Sequence, residues 1–179
     1  MVKLENKLKK KIKIGVLGGS FDPAHKGHLA ISNEALKRFK LKTIIWAITS
    51  QNPFKQKKSS ALEKRIVICK KIIGKNKLIE VKYFEDETGS NKTTDTVDYL
   101  TKNKKYEIFF LMGADNLVNF HKWYKWKQIS EKCNILVFDR YGYKKKSLNS
   151  KTYKTLKSEK FKFVYFNKVN ISSSQLRKI

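Results

Sequence analysis

The apolar residues of this chain fall in short runs, separated by stretches where apolar and polar positions share a helical period. Ile12, Ile14, Val16 and Leu17 make a β-branched run ending at Gly18-Gly19, the pattern of a buried strand. Leu29, Ala30, Ala35, Leu36 and Phe39 follow among Asn33, Glu34, Lys37 and Arg38, which predicts a helix reaching about Phe39. Residues 43–48 read as a second buried strand, and 51–55 as a loop punctuated by Asn52 and Pro53. Residues 61–73 read as a helix with Leu62, Ile66, Cys69 and Ile73 on one face and Gly74 as its C-cap. A strand is expected at 79–84, a polar loop at 86–94, and then a helix capped by Asp95 or Thr96 that carries Val97 and Leu100. Residues 107–112 form a strongly apolar strand ending on Gly113. Beyond it the pattern gives a helix at 123–132, a strand at 135–138, one polar helix over 144–159 and a last strand at 161–166. Residues 172–179 read as a loop leading into a terminal helix.

Strands that alternate with helices predict an α/β fold: a Rossmann-like, doubly wound, mainly parallel sheet with helices on both faces. At 179 residues the chain reads as one domain, residues 12–179, preceded by a basic leader at 1–11 expected to be flexible. Its 40% hydrophobic and 12% aromatic content suits a folded globule. No run approaches the roughly 18 apolar residues of a membrane span, and the Lys-rich start lacks the apolar core of a signal peptide. Cys69 and Cys133 lie in separate segments, which reads as two reduced thiols in a cytoplasmic protein.

The formal net charge of +26 raises a nucleic-acid partner as an alternative. The charge is spread from Lys3 to Lys178 and carried overwhelmingly by Lys, whereas base reading favours the bidentate fork of Arg. The expectation is therefore a solvated basic surface that attracts anionic nucleotides, without nucleic acid or membrane as partner.

The chemistry is densest in Gly18-Gly19-Ser20-Phe21-Asp22-Pro23-Ala24-His25-Lys26-Gly27-His28, a strand–loop–helix junction. Ligands of open α/β sheets bind at the carboxyl ends of strands, where a helix N-terminus offers free N–H groups to an anion. The glycine pair lets a ligand approach the backbone, and Ser20 and nearby N–H groups can donate to phosphate oxygens. His25 and His28, two of the three histidines, sit three apart and face one side of a helical turn. Beside a phosphate both imidazoles would donate hydrogen bonds, and the phosphate charge would favour their protonated forms. The motif lacks the Gly-Lys-Ser/Thr of a P-loop and the G-x-G-x-x-G dinucleotide fingerprint. A zinc site is the competing reading, but His-x-x-His without adjacent Cys or Glu makes a poor one.

Three further segments stand out. Gly113-Ala114-Asp115-Asn116 follows the apolar strand; by position Asp115 is equally a ribose ligand and a helix cap. In Phe120-His121-Lys122-Trp123-Tyr124-Lys125-Trp126, Trp123 and Trp126 are one turn apart; Trp126 reads as core and His121 as surface. Ile171-Ser172-Ser173-Ser174-Gln175-Leu176-Arg177 places hydroxyls at a helix start with an Arg one turn on, which reads either as a cradle for phosphates or as a Ser-rich cap with a solvated Arg.

Gly19-Ser20-Phe21-Asp22-Pro23-x-His25-x-Gly27-His28 resembles the signature of the H-x-G-H nucleotidyltransferase superfamily, and most nearly the bacterial nicotinate-nucleotide adenylyltransferases of the NadD type. Gly113-x-Asp115, the segment Thr93-Thr94-Asp95-Thr96, Trp123 and Ile171-Ser172-Ser173-Ser174-x-x-Arg177 resemble that family's further motifs in order. Arg140-Tyr141-Gly142 stands where relatives commonly carry Arg-Pro-Gly, and Phe54-Lys55 where many carry a histidine.

The resemblance implies adenylyl transfer from ATP to nicotinate mononucleotide, giving deamido-NAD and pyrophosphate in NAD biosynthesis. The alternatives are the same chemistry, or cytidylyl transfer, on nicotinamide mononucleotide or phosphopantetheine. It implies His25, His28 and Arg177 as catalytic residues. ATP would lie on Gly18, Gly19, Ser20, Phe21, Gly113, Asp115, Ser173 and Ser174. Nicotinate mononucleotide would lie on Asn52, Lys55, Thr94 and Trp123, the indole stacking on the pyridine ring. Mg²⁺ would be bound through the ATP phosphates, with no protein metal site.

Overall fold

The computed structural model describes residues 10–51, 60–156 and 160–165. Its elements are β1 (Ile12–Gly19), α1 (Lys26–Phe39), β2 (Thr43–Ile48), α2 (Leu62–Ile73), β3 (Ile79–Tyr83), α3 (Glu85–Thr88), α4 (Thr93–Thr101) and β4 (Tyr106–Gly113). They continue with α5 (Ala114–Asn119), a 3₁₀ turn (Phe120–Lys122), α6 (Trp126–Lys132), β5 (Asn134–Phe138), α7 (Lys144–Leu148), α8 (Lys151–Thr155) and β6 (Phe161–Val164).

The six strands form one sheet in the order β3-β2-β1-β4-β5-β6, and every neighbouring pair is parallel. This is the doubly wound Rossmann-like order. Continuous apolar runs are what such strands require, because both faces of the sheet are covered. Phe109 and Phe110, adjacent on β4, show it. Phe109 packs in the core layer with Ala35, Trp46 and Cys69, under α1 and α2. Phe110 packs with Val97, Leu117, Phe120 and Ile129 in the layer under α4, α5 and α6. β1 is central, pairing Leu17 with Trp46 on one side and Leu111 on the other. The chain leaves β1 toward β2 and later returns on its other side as β4. The switch point therefore lies between the carboxyl ends of β1 and β4, at Gly19 and Gly113.

Local departures from the sequence pattern have local causes. The polar stretch expected as a loop at 86–94 contains the one-turn α3, and α4 starts earlier, at Thr93, with Lys92 as an N-cap that makes no side-chain capping bond. The expected helix at 123–132 begins only at Trp126, because Lys125 adopts a left-handed conformation (φ 47°) that stops a right-handed helix from extending back to Trp123. The single helix expected over 144–159 is broken into α7 and α8: the Ser150 hydroxyl accepts the Tyr153 N–H at 3.1 Å and opens a new helix. Gly74 does end α2, at φ 61°, with its N–H donated to the Lys70 carbonyl at 3.0 Å.

Candidate active site

The loop from β1 to α1 is built around a reciprocal helix cap. His25 is the N-cap residue of α1, and its Nδ1 accepts the Gly27 N–H at 3.1 Å. His28, three residues on, returns the bond: its Nδ1 accepts the His25 backbone N–H at 3.2 Å. This is a capping box in which two imidazoles stand where a Ser/Thr and a Glu/Gln usually do. An Nδ1 that accepts cannot carry a proton, so each neutral ring holds its proton on Nε2, on the side away from the cap. The ring centroids are 3.9 Å apart. The H-x-G-H spacing thus supplies two oriented N–H donors at a helix N-terminus whose first turn holds no acidic residue.

The rings rest on an aromatic floor. Phe21 stacks on Trp46 at 5.0 Å, and the His28 ring tilts against Phe21 at 4.9 Å. Trp46 Nε1 donates to Ser32 Oγ at 2.8 Å, and Ser32 donates to the His28 carbonyl at 2.9 Å. Phe21 is 2% exposed, so its side chain supports His28 and offers no face to a nucleotide; only its backbone is available for the ATP contact expected of it. Ser20 is likewise buried, with its carbonyl taken by Arg65.

Across the switch point, Asp115 lies in the first turn of α5, with Gly113 rather than Asp115 as N-cap. Its Oδ2 forms an ion pair with Arg140 Nη1 from the loop after β5. Its Oδ1 is buried without a hydrogen-bond partner among the described residues. A Cβ at Gly113 would collide with that Oδ1, so the glycine is what leaves room for the carboxylate to fold back over the strand end. These charges act on His25. Burial first, and then Arg140, lower its pKa from 6.5 to about 4, against a smaller upward pull from Asp115. In the free protein His25 is neutral at pH 7, so the protonation expected beside phosphate has to be induced by the ligand.

A small cavity opens beside the strand ends. Gly18, Gly19, Thr49, Phe110, Glu85, Thr93 and Thr96 are among its lining; neither imidazole is. Thr94, the expected ligand, is not there: it is 1% exposed and donates its hydroxyl to the Tyr124 carbonyl at 2.5 Å. The reason is helical phase. In α4 the side of Thr94 and Val97 faces the core, which leaves Thr93 and Thr96 toward the cavity. Trp123 is half-buried and meets Phe110 edge-on at 6.2 Å. Trp126 packs edge-on against Phe120 at 5.9 Å, the core role expected of it. Asn52, Lys55, Ser173, Ser174 and Arg177 lie outside the described residues.

Two residues that sequence reasoning passed over join this region. Glu85 accepts from the Ser50 N–H and hydroxyl, the Thr49 hydroxyl and the Tyr83 phenol. Burial pushes its pKa up, but those hydrogen bonds together hold it below the usual glutamate value. Arg65 is fully buried in α2. The available signal for it was an Arg four residues before Cys69 on an apolar face, in a chain with only four arginines. Among the described residues no cluster of three or more His, Cys, Asp or Glu is placed to hold a metal ion.

Comparison with known proteins places the chain in a family. The sequence profile of the family described as cytidylyltransferase-like matches residues 16–179. A Pelagibacter ubique (strain HTCC1062) protein, named "Probable nicotinate-nucleotide adenylyltransferase", is 63% identical over 180 residues, covering 100% of both chains. A Bradyrhizobium (strain ORS 278) protein of the same name is 40% identical over 131 residues, 72% of this chain and 68% of that one. Among solved structures, Plasmodium falciparum nicotinic acid mononucleotide adenylyltransferase complexed with NaAD superposes with a TM-score of 0.78 at 19% identity, covering 93% of this chain and 82% of that one; this is a likeness of fold. The H-x-G-H capping box at the switch point of a 3-2-1-4-5-6 sheet, the match over residues 16–179 and the full-length relative lead to one conclusion: the chain belongs to the cytidylyltransferase-like family and, within it, to the nicotinate-nucleotide adenylyltransferases.

Proposed function

We propose that this protein transfers the adenylyl group of ATP to nicotinate mononucleotide. A 5′-phosphate oxygen of the mononucleotide attacks the α-phosphorus of ATP, the bond from that phosphorus to the β-bridging oxygen breaks, and pyrophosphate leaves as deamido-NAD forms. The attacking phosphate is already a nucleophile at neutral pH, so the protein needs no covalent intermediate. Its work is positioning and charge stabilisation. The observation that carries the reading is the capping box, which turns His25 and His28 into paired Nε2–H donors at the positive end of α1.

The donors would bind phosphate oxygens whose charge grows in the transition state. ATP's negative charge would raise the His25 pKa toward its ordinary value and strengthen that bond. The unpartnered Asp115 Oδ1 suits the ribose hydroxyls. Ser173, Ser174 and Arg177 are proposed for the leaving pyrophosphate, and Asn52 and Lys55 for the acceptor, on the resemblance of their motifs. Thr93 and Thr96 replace Thr94 as proposed hydroxyl donors to the nicotinate carboxylate, with Trp123 beside the pyridine ring. Asp115 is engaged by Arg140 and Asp22 by Ser60, a donor set that fits Mg²⁺ carried on ATP oxygens and water rather than in a protein cage. Such an ion would neutralise charge on the triphosphate.

A cytoplasmic location is proposed from two free, buried cysteines, Cys69 and Cys133, whose burial pushes both thiols up to about 12. Among the described residues no helix is long and apolar enough to cross a membrane.

The test is pyrophosphate release from ATP and Mg²⁺ with nicotinate mononucleotide, nicotinamide mononucleotide and phosphopantetheine run side by side. Fastest release with the nicotinate form is expected. Faster release with another acceptor would keep the histidine chemistry and discard the pyridine assignment; no release with any would overturn the reaction.

A further inference from the structure

Arg65 is 1% exposed, and among the described residues its guanidinium makes four hydrogen bonds, all to backbone carbonyls. Nη1 reaches Ser20 at 2.6 Å and Thr49 at 2.7 Å, Nη2 reaches Ser50 at 2.9 Å, and Nε reaches Ser60 at 2.8 Å. These carbonyls belong to three segments: the loop after β1, the end of β2 and the approach to α2. Glu85 holds the same Thr49-Ser50 dipeptide from its other polar groups, accepting the Ser50 N–H at 2.8 Å and both hydroxyls at 2.5 Å. One dipeptide thus has both carbonyls bound by a cation and three of its four donors bound by an anion. Thr49 also donates its N–H to the Gly19 carbonyl at 3.1 Å, so the clamp is directly stitched to the end of β1.

Burying a guanidinium is costly, and removing its partners costs more. A core position could be filled by Leu or Met at no such cost. The planar fork does what they cannot: it spans carbonyls of separate segments with a fixed separation, which a point-like ammonium cannot reproduce. The chain is otherwise strongly Lys-biased.

We propose that Arg65 and Glu85 are positioning residues that, by holding the Thr49-Ser50 dipeptide, fix Thr49 in the cavity wall against the Ser20 loop, and so set the separation between the bound nucleotide and its acceptor. This rests on the adenylyl-transfer reading. Small errors in reactant placement cost rate more than binding, and about 1 Å can cost on the order of 10²-fold. Arg65→Lys and Glu85→Gln are therefore expected to lower kcat roughly 10- to 100-fold while each substrate's KM moves less than about threefold. Because both hold one dipeptide, the double variant should lose little more than the worse single one.

The experiment compares these three variants with the wild-type protein in steady-state pyrophosphate release, alongside their melting temperatures and amide hydrogen exchange. Wild-type turnover with nicotinate mononucleotide reports on the reaction itself. The variant-to-wild-type ratio, read on whichever acceptor the wild type uses, reports on the clamp, as does faster exchange confined to the Thr49 and Ser50 amides. A lowered melting temperature with kcat per folded molecule unchanged would overturn the proposal, because a merely structural clamp behaves that way. If Arg65→Lys does not fold, Glu85→Gln carries the same comparison, and unchanged kcat there overturns it equally.

Discussion

The imidazoles of His25 and His28 lie 3.9 Å apart, each with Nδ1 engaged by a backbone N–H of the turn they share. Capping and the proposed phosphate binding would therefore use opposite nitrogens of the same rings, and substitutions can separate them. Asn is a good N-cap residue whose amide oxygen can replace Nδ1 but which reaches no further. His25→Asn should keep the melting temperature within a few degrees and lower kcat on the order of 10²-fold, the usual cost of a lost transition-state donor. His25→Ala should lose the same activity and also about 1 kcal/mol of stability with the cap. Thermal melts and pyrophosphate release on both variants check this; near-normal turnover in His25→Asn would remove His25 from the chemistry. His28→Ala should lower kcat by roughly 10² or more with the fold retained.

The depressed pKa of His25 has a pH signature of definite sign. In the folded protein it falls to about 4, from 6.5. Between those values the unfolded chain binds a proton that the folded one refuses, so unfolding is increasingly favoured as pH falls. Stability is fully present above about pH 6.5 and is lost as pH falls toward 4. The melting temperature of the wild type should therefore decline through this window, and that of His25→Asn should decline less. ATP should reverse the shift, so its binding should take up protons between pH 5 and 7. Calorimetry in buffers of different ionisation enthalpy measures that uptake; none would mean no phosphate sits beside His25.

Asp115 and Arg140 give a prediction about the nucleotide alone. The carboxylate holds Arg140 with one oxygen and leaves the other buried and, among the described residues, unpartnered. Asp115→Asn keeps the shape but weakens both bonds, since hydrogen bonds to an ionised acceptor are about twice as strong. The KM for ATP should rise roughly tenfold with the acceptor KM unchanged. Gly113→Ala, whose Cβ would strike the Asp115 carboxylate, should raise the ATP KM in the same direction. An acceptor KM that moved instead would place Asp115 on the other substrate.

Much of the architecture follows from short-range pattern, and the failures show where pattern stops. β4 is readable because five of its eight residues are buried apolar side chains, a run that only a two-sided core explains. The H-x-G-H spacing reveals a site, but not that its rings cap their own helix, since that needs the coordinates of backbone N–H groups. Arg65 was invisible for a different reason: among lysines and isoleucines on α2, a buried cation reads as a solvated one until its four carbonyl partners, drawn from residues 20 to 60, are brought together. Arg140 stood beside a strand end in sequence, but its partner Asp115 is 25 residues away. A threonine-rich segment does not say which hydroxyl faces the cavity, since one position on a helix is 100° of rotation, and here it separates buried Thr94 from Thr93 in the cavity lining.

That one-residue distinction is directly testable. Thr94 spends its hydroxyl on the Tyr124 carbonyl and is 1% exposed. Thr94→Val is isosteric and leaves the carbonyl unsatisfied, so it should cost about 1–3 kcal/mol of stability while KM values at a temperature where the variant is folded stay near wild type. Thr93 and Thr96 line the cavity, so Thr93→Ala and Thr96→Val should do the reverse: near-native melting, and a KM for nicotinate mononucleotide raised about five- to tenfold for whichever hydroxyl donates to the carboxylate. Preference for the nicotinate over the nicotinamide form should shrink in the same variant, because a donor placed for a carboxylate no longer discriminates once it is gone. Should Thr94→Val raise the acceptor KM while Thr93→Ala and Thr96→Val leave it untouched, the cavity beside Gly18 and Gly19 is not where the pyridine ring binds.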